Sequence, residues 1–159
     1  MINYTSKEIN KIICDIQEKW ANSIIEIGKA YLDKKDYFNL MEKFLDDLYY
    51  FKQGKVLFKP TKASHKQFRN KRNEFISYFI GHNKVSDEDK GFALEPWKNI
   101  NFQNFDFITY DDIIISMGNY LFTDYENKKT KVEYSFGYMF DQENKLRIIF
   151  HHSSIPYKQ

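Results

Sequence analysis

The last stretch of the chain, Lys145-Leu146-Arg147-Ile148-Ile149-Phe150-His151-His152-Ser153-Ser154-Ile155-Pro156-Tyr157, is an apolar run that turns polar just before a proline. Ile148-Ile149-Phe150 is β-branched and aromatic, with turn-forming residues from Asp141 to Asn144 before it and Pro156 after it, so the run reads as a final strand. Strand alternation groups His151 and Ser153 on one face with Ile149, and His152 and Ser154 on the other with Ile148 and Phe150. The imidazoles and hydroxyls therefore form two pairs, one of which would face the concave side of a curved sheet. A plainer reading gives all four residues to turn and strand-end hydrogen bonds.

Outward from this strand, the segment beyond Gly91 alternates. Trp97, Ile100, Phe102, Phe105 and Phe107 do not hold a single parity, which predicts a bulge near Gln103-Asn104 in a long bent strand. Asp111-Asp112 turns that strand into Ile113 to Thr123, and Lys131 to Phe140 follows with Val132, Tyr134, Phe136, Tyr138 and Phe140 along one face. Before Gly91 the period is helical. Thr5-Ser6-Lys7-Glu8 has capping-box spacing, and Ile9, Ile12, Ile13, Ile16, Trp20, Ile24, Ile27 and Tyr31 form the stripe of a helix over about residues 6 to 33. Asp36 caps a second helix carrying Leu40, Met41, Phe44, Leu45 and Leu48. Val56-Leu57-Phe58 reads as a short strand stopped by Pro60. A third helix is expected over about residues 66 to 80, with Phe68, Phe75, Ile76 and Phe79 on one face, Tyr78 on its border and Gly81 at its end. Helices followed by four consecutive antiparallel strands make an α+β domain, a curved sheet wrapped on N-terminal helices, with residues 1–159 as one domain.

A chain of 159 residues is long enough to bury roughly 70% of its unfolded surface without disulfides or metals. Its 24 Lys and Arg against 22 Asp and Glu are interspersed, so nothing in the charge asks for nucleic acid or a membrane. Cys14, the single cysteine, excludes an intrachain disulfide and lies in an apolar helical pattern that suggests a buried thiol. With no basic-then-apolar leader at Met1 to Glu8 and no long apolar segment, a cytoplasmic protein is expected. The three consecutive acids Asp87-Glu88-Asp89 lack the ligand spacing of a calcium loop.

Several blocks then carry a resemblance: Val56-Leu57-Phe58-Lys59-Pro60-Thr61, Ser77-Tyr78-Phe79, Gly91-Phe92-Ala93-Leu94-Glu95-Pro96-Trp97, Met117-Gly118-Asn119-Tyr120, Lys131 to Tyr138, and the terminal His151-His152-Ser153-Ser154. In this order they resemble the iota-class carbonic anhydrases. The resemblance implies a cone-shaped fold of the nuclear transport factor 2-like (NTF2-like) and SnoaL-like kind, related to the kinase association domains and usually dimeric. It also implies reversible hydration of carbon dioxide to bicarbonate in a pocket whose polar groups fall on Thr61, Tyr78, His151 and Ser153. Phe136, Tyr138 and Asn119 are the expected substrate-side neighbours.

Relatives are described both as metal-free and as using manganese or zinc. Four histidines, two of them adjacent on a strand, are a thin ligand supply and favour the metal-free kind, although carboxylates leave an ion open. Three preorganised donors could then replace much of what zinc gives, with His151 orienting the network or moving the proton. Two other classes compete. An isomerase or cyclase would need a buried carboxylate, for which Asp106 and Glu133 are the candidates. A non-catalytic ligand-binding or oligomerisation domain would need no ordered hydroxyl cluster.

Overall fold

A computed structural model describes residues 4–159; Met1, Ile2 and Asn3, part of the N-terminus read for a leader, lie outside it. Helix α1 runs Ser6–Leu32, and its capping box forms as spaced, with Thr5 N donating to Glu8 Oε2 at 2.7 Å and Glu8 N to Thr5 Oγ1 at 3.3 Å. Helix α2, Tyr37–Leu48, starts on Asp36, whose carboxylate accepts from Asn39 N at 3.0 Å. Strand β1, Leu57–Lys59, is followed by helix α3, Arg72–Ile80, and then by the strands β2 Trp97–Tyr110, β3 Ile113–Asp124, β4 Lys129–Phe140 and β5 Leu146–Ser154. The sheet order is β1-β5-β4-β3-β2, antiparallel except for the β1–β5 pair. Its inner face closes over α1, with Trp20 touching the rings of Phe44, Phe79, Phe102, Tyr120, Phe122, Phe136 and His151. No helix among the described residues is long and apolar enough to cross a membrane.

Among the described residues the sheet register slips at three points, the first of them between Trp97 and Asn99 at the start of β2. The expected bulge on β2 slips the register between Asn104 and Asp106. The partner Gly118 is there because a Cβ would sit 2.3 Å from the Gln103 carbonyl oxygen and 2.8 Å from Phe105 N. Gly118→Ala is expected to cost about 1–3 kcal/mol by overpacking against backbone that cannot retreat, read as a lowered thermal midpoint. A further bulge, on β5, leaves Ile149 as the extra residue opposite the Gly137–Tyr138 step of β4 and was not expected. It breaks the simple alternation on β5, so His151 and Ser153 share the buried face with Leu146 and Ile148 and not with Ile149.

Three local expectations are corrected. Residues 66–71 are not helical, because Arg69 pairs with β1 in a bridge to Phe58 and Phe68 faces solvent. Arg69 itself is buried. Its buried guanidinium forms two bonds to Asp89, at 2.7 and 2.8 Å. Glu88 accepts the backbone N–H groups of Ser64, His65 and Lys66, and its pKa is held down to about 2, first by the Ser64 N–H. The acidic run thus serves the chain's own donors. Cys14 is exposed, since it lies beside the buried stripe defined by Ile13, Ile16 and Gln17.

Candidate active site

Thr61, just past β1, Tyr78 on α3, Tyr120 on β3, and His151 and Ser153 on β5 line one small cavity, walled by Trp20, Phe58, Phe79 and Phe92. Its free volume is about 10 Å³, room for a single water. All four residues of the expected polar set are thus brought together from three separate segments. Phe136 stands behind the imidazole, with ring centroids 4.3 Å apart. Tyr138 lies further along the inner face, where its hydroxyl meets Ser116 Oγ at 3.2 Å and Gln17 Nε2 at 3.5 Å. Asn119 is not in the chamber. Odd-numbered positions of β3 point outward, and Asn119 lines a depression on the opposite side of the sheet with His152, Glu133 and Ser154.

Two members were missed. Tyr120 sits at the end of the Met117-Gly118-Asn119-Tyr120 block, and its parity with the core residue Phe122 was a usable signal. Tyr49, the residue that ends α2, carried none, since it reaches the site by turning extended there and bridging Ile148 of β5. Its hydroxyl lies 2.9 Å from His151 Nδ1 and accepts from Trp20 Nε1 at 3.0 Å. On its other side His151 Nε2 lies 2.9 Å from Ser153 Oγ and 3.3 Å from the Tyr120 hydroxyl, and these two oxygens also bond to each other. Thr61 lines the cavity beside the Tyr78 and Tyr120 hydroxyls, and the Lys62 backbone N–H donates to Tyr78 at 3.4 Å.

Burial makes the chamber electroneutral. It pushes the Tyr78 and Tyr120 phenols well above their ordinary pKa, so they stay protonated donors. It also pushes the His151 imidazole well below its usual value, with His152 adding to the effect, so His151 stays neutral and is a weaker base than an ordinary histidine. An unfolded imidazole takes a proton below about pH 6.5, whereas the buried one does not. The associated stability is therefore complete above the unfolded value and is lost as pH falls toward the depressed native one. Denaturant titrations at several pH values should show unfolding free energy falling below about pH 6.5, by at most about 1.4 kcal/mol per unit from this group. His151→Gln should remove that part of the slope.

Among the described residues no three His, Cys, Asp or Glu side chains gather as a metal cage. His151 and His152 point to opposite faces, and His82 packs on Phe38 at 4.9 Å. The carboxylates an isomerase would use do not reach the chamber. Asp106 is exposed, and Glu133 is an outer-face residue accepting from Ser154 Oγ at 2.8 Å.

A curved sheet closed over helices around a neutral pocket of hydroxyls, phenols and one imidazole has the NTF2-like fold. More particularly, the chain belongs to the metal-independent carbonic anhydrase family, whose model matches residues 11–155. It is 39% identical over 146 residues to a metal-independent carbonic anhydrase of Nostoc sp., covering 90% of this chain and 71% of that protein. It is also similar to the solved iota-carbonic anhydrase from a cyanobacterium, complexed with bicarbonate, at 36% identity and a TM-score of 0.89 over 100% of this chain and 98% of that one. A calcium/calmodulin-dependent protein kinase II association domain from Xanthomonas campestris shares the fold alone, at 22% identity and a TM-score of 0.61 over 92% and 87% of the two chains.

Proposed function

We propose that the chamber is where this metal-independent carbonic anhydrase adds water to carbon dioxide and, in reverse, releases it from bicarbonate. Thr61, Tyr78, Tyr120 and Ser153 hold the water and the bicarbonate oxygens, and His151 orients them. The observation that carries this reading is the convergence of Thr61, Tyr78, His151 and Ser153 on one cavity. Hydration forms one C–O bond and releases one proton, while negative charge grows on the oxygens of carbon dioxide. Buried hydroxyls aimed at that charge act in a site free of bulk water, where one such donor is worth about 2.7–4 kcal/mol. The rings of Phe58, Phe79 and Phe92 supply the dry wall against which carbon dioxide sits. Access runs past Thr61, the least buried of the polar set, where Lys62 pairs with Glu95 and lies 5.9 Å over the Phe92 ring.

The test is stopped-flow hydration of carbon dioxide by protein stripped with a chelator and checked for metal content. Undiminished activity supports the reading, and activity that vanishes with the metal and returns with added manganese or zinc overturns it.

The chain works as one domain over residues 1–159, in the cytoplasm and as a homodimer, and its substrate is a small molecule that needs no nucleic acid or membrane. A single cysteine that cannot cross-link the chain fits a reducing compartment. The outer face of the sheet supports pairing, with Phe105, Ile108, Tyr110, Ile115 and Met117 exposed and Ile108 opposite Ile115. Sedimentation should give twice the 19.3 kDa chain mass, and Met117→Lys with Ile115→Lys should halve it. A wild-type monomer at working concentrations would remove the dimer from the account.

A further inference from the structure

We infer that Tyr49, held by Trp20, is a positioning residue that fixes which nitrogen of His151 carries the proton and thereby leaves one hydroxyl hydrogen in the chamber free for the substrate. The inference rests on the chamber being the active site. The Trp20 indole can only donate, so the Tyr49 oxygen accepts from it. The Tyr49 hydroxyl hydrogen then has one hydrogen-bond acceptor within reach, His151 Nδ1 at 2.9 Å. If Nδ1 bore the proton instead, indole and imidazole would both aim donors at the same phenol oxygen, and a buried hydroxyl hydrogen would be left without an acceptor. The geometry therefore selects the tautomer protonated on Nε2.

That choice changes the hydrogen count inside the chamber. Ser153 and Tyr120, the two hydroxyls beside the ring, bring two hydroxyl hydrogens, and one hydroxyl–hydroxyl bond joins them. With Nε2–H donating to Ser153 and Tyr120, that bond uses one hydrogen and the other is left over. With a bare Nε2 the ring would instead accept the second, and neither would remain for an oxygen of carbon dioxide. Tyr49 thus acts on the reaction through His151 without touching the substrate.

Nitrogen-15 NMR of the histidine rings, with the His151 signal assigned by its loss in His151→Gln, reads the tautomer directly. The wild type should show His151 neutral and protonated on Nε2. Tyr49→Phe, which takes away the donor to Nδ1, should weaken the preference for the Nε2-protonated form and lower kcat by roughly tenfold or more, within the loss that follows removal of one oxyanion donor, with KM little changed. Trp20→Phe, which leaves the phenol oxygen free to accept from Nδ1–H, should shift the tautomer in the same direction and serves where Tyr49→Phe does not fold. A wild-type ring protonated on Nδ1 overturns the inference, as does a tautomer shift with kcat unchanged or a fall in kcat with the tautomer kept. Should the wild type hydrate no carbon dioxide, the assignment of the chamber fails, while the spectra still decide what Tyr49 does to the ring.

Discussion

Ser153→Ala should lower kcat for carbon dioxide hydration by about 10²–10³-fold, the cost of removing one preorganised donor from a site that stabilises developing negative charge. Ser153 is the junction of the network, bonded to His151 Nε2 at 2.9 Å and to the Tyr120 hydroxyl. Removing its oxygen takes away the hydroxyl that Tyr120 pairs with and leaves His151 Nε2 with only the longer contact to Tyr120 at 3.3 Å. The side chain is small and its loss leaves little void, so thermal stability should change far less than turnover. Stopped-flow rates beside a thermal melt separate the two. Activity within a few-fold of wild type would mean that the oxygens of bicarbonate are held elsewhere.

The largest effect on stability is expected at Arg69. Its guanidinium lies fully out of solvent, forks onto Asp89, donates to the Glu74 and Lys66 carbonyls, and stacks 5.6 Å from the Tyr78 ring. Asp89 also accepts from Ser77 Oγ. One residue thereby ties the segment after β1, helix α3 and the loop before Gly91 together, and supports the face of a chamber tyrosine. Arg69→Ala strands a buried carboxylate, which costs about 3–5 kcal/mol. For a chain of this length that lowers the melting midpoint by on the order of 10 °C. Replacing both partners, Arg69→Met with Asp89→Leu, should recover much of the loss, because the penalty comes from the unpaired charge. A single variant as stable as wild type would show that water or movement relieves the Asp89 carboxylate.

The same arginine shows why parts of the chain were hard to read. Residues 66–71 read as the first turns of a helix, but whether an arginine there is buried depends on an acid at position 89, which no local pattern reveals. The helix stripes, both side-chain caps of α1 and α2, and the β2 bulge were legible because each is written within a few residues. The bulge at Ile149 was not, since the bulged residue is apolar like its neighbours and only pairing with β4 exposes it. His151 and Ser153 could be joined by strand parity alone, whereas Thr61 and Tyr78 came from resemblance. Asn119 was placed beside them through its motif, yet its odd position on β3 puts it on the far face, while the adjacent Tyr120 points in. Tyr49 could not be found at all without coordinates, because a tyrosine at a helix end declares nothing about a histidine 102 residues later.

The most direct measurement is a crystal structure of the metal-stripped protein soaked with bicarbonate. The account expects the flat anion inside the chamber, within hydrogen-bond distance of Ser153 Oγ and of the Thr61, Tyr78 or Tyr120 hydroxyls, with the turn at Thr61 and Lys62 eased outward to admit it and no ion beside it. Bicarbonate bound only on the outer face of the sheet, or seated on a metal ion, would contradict it.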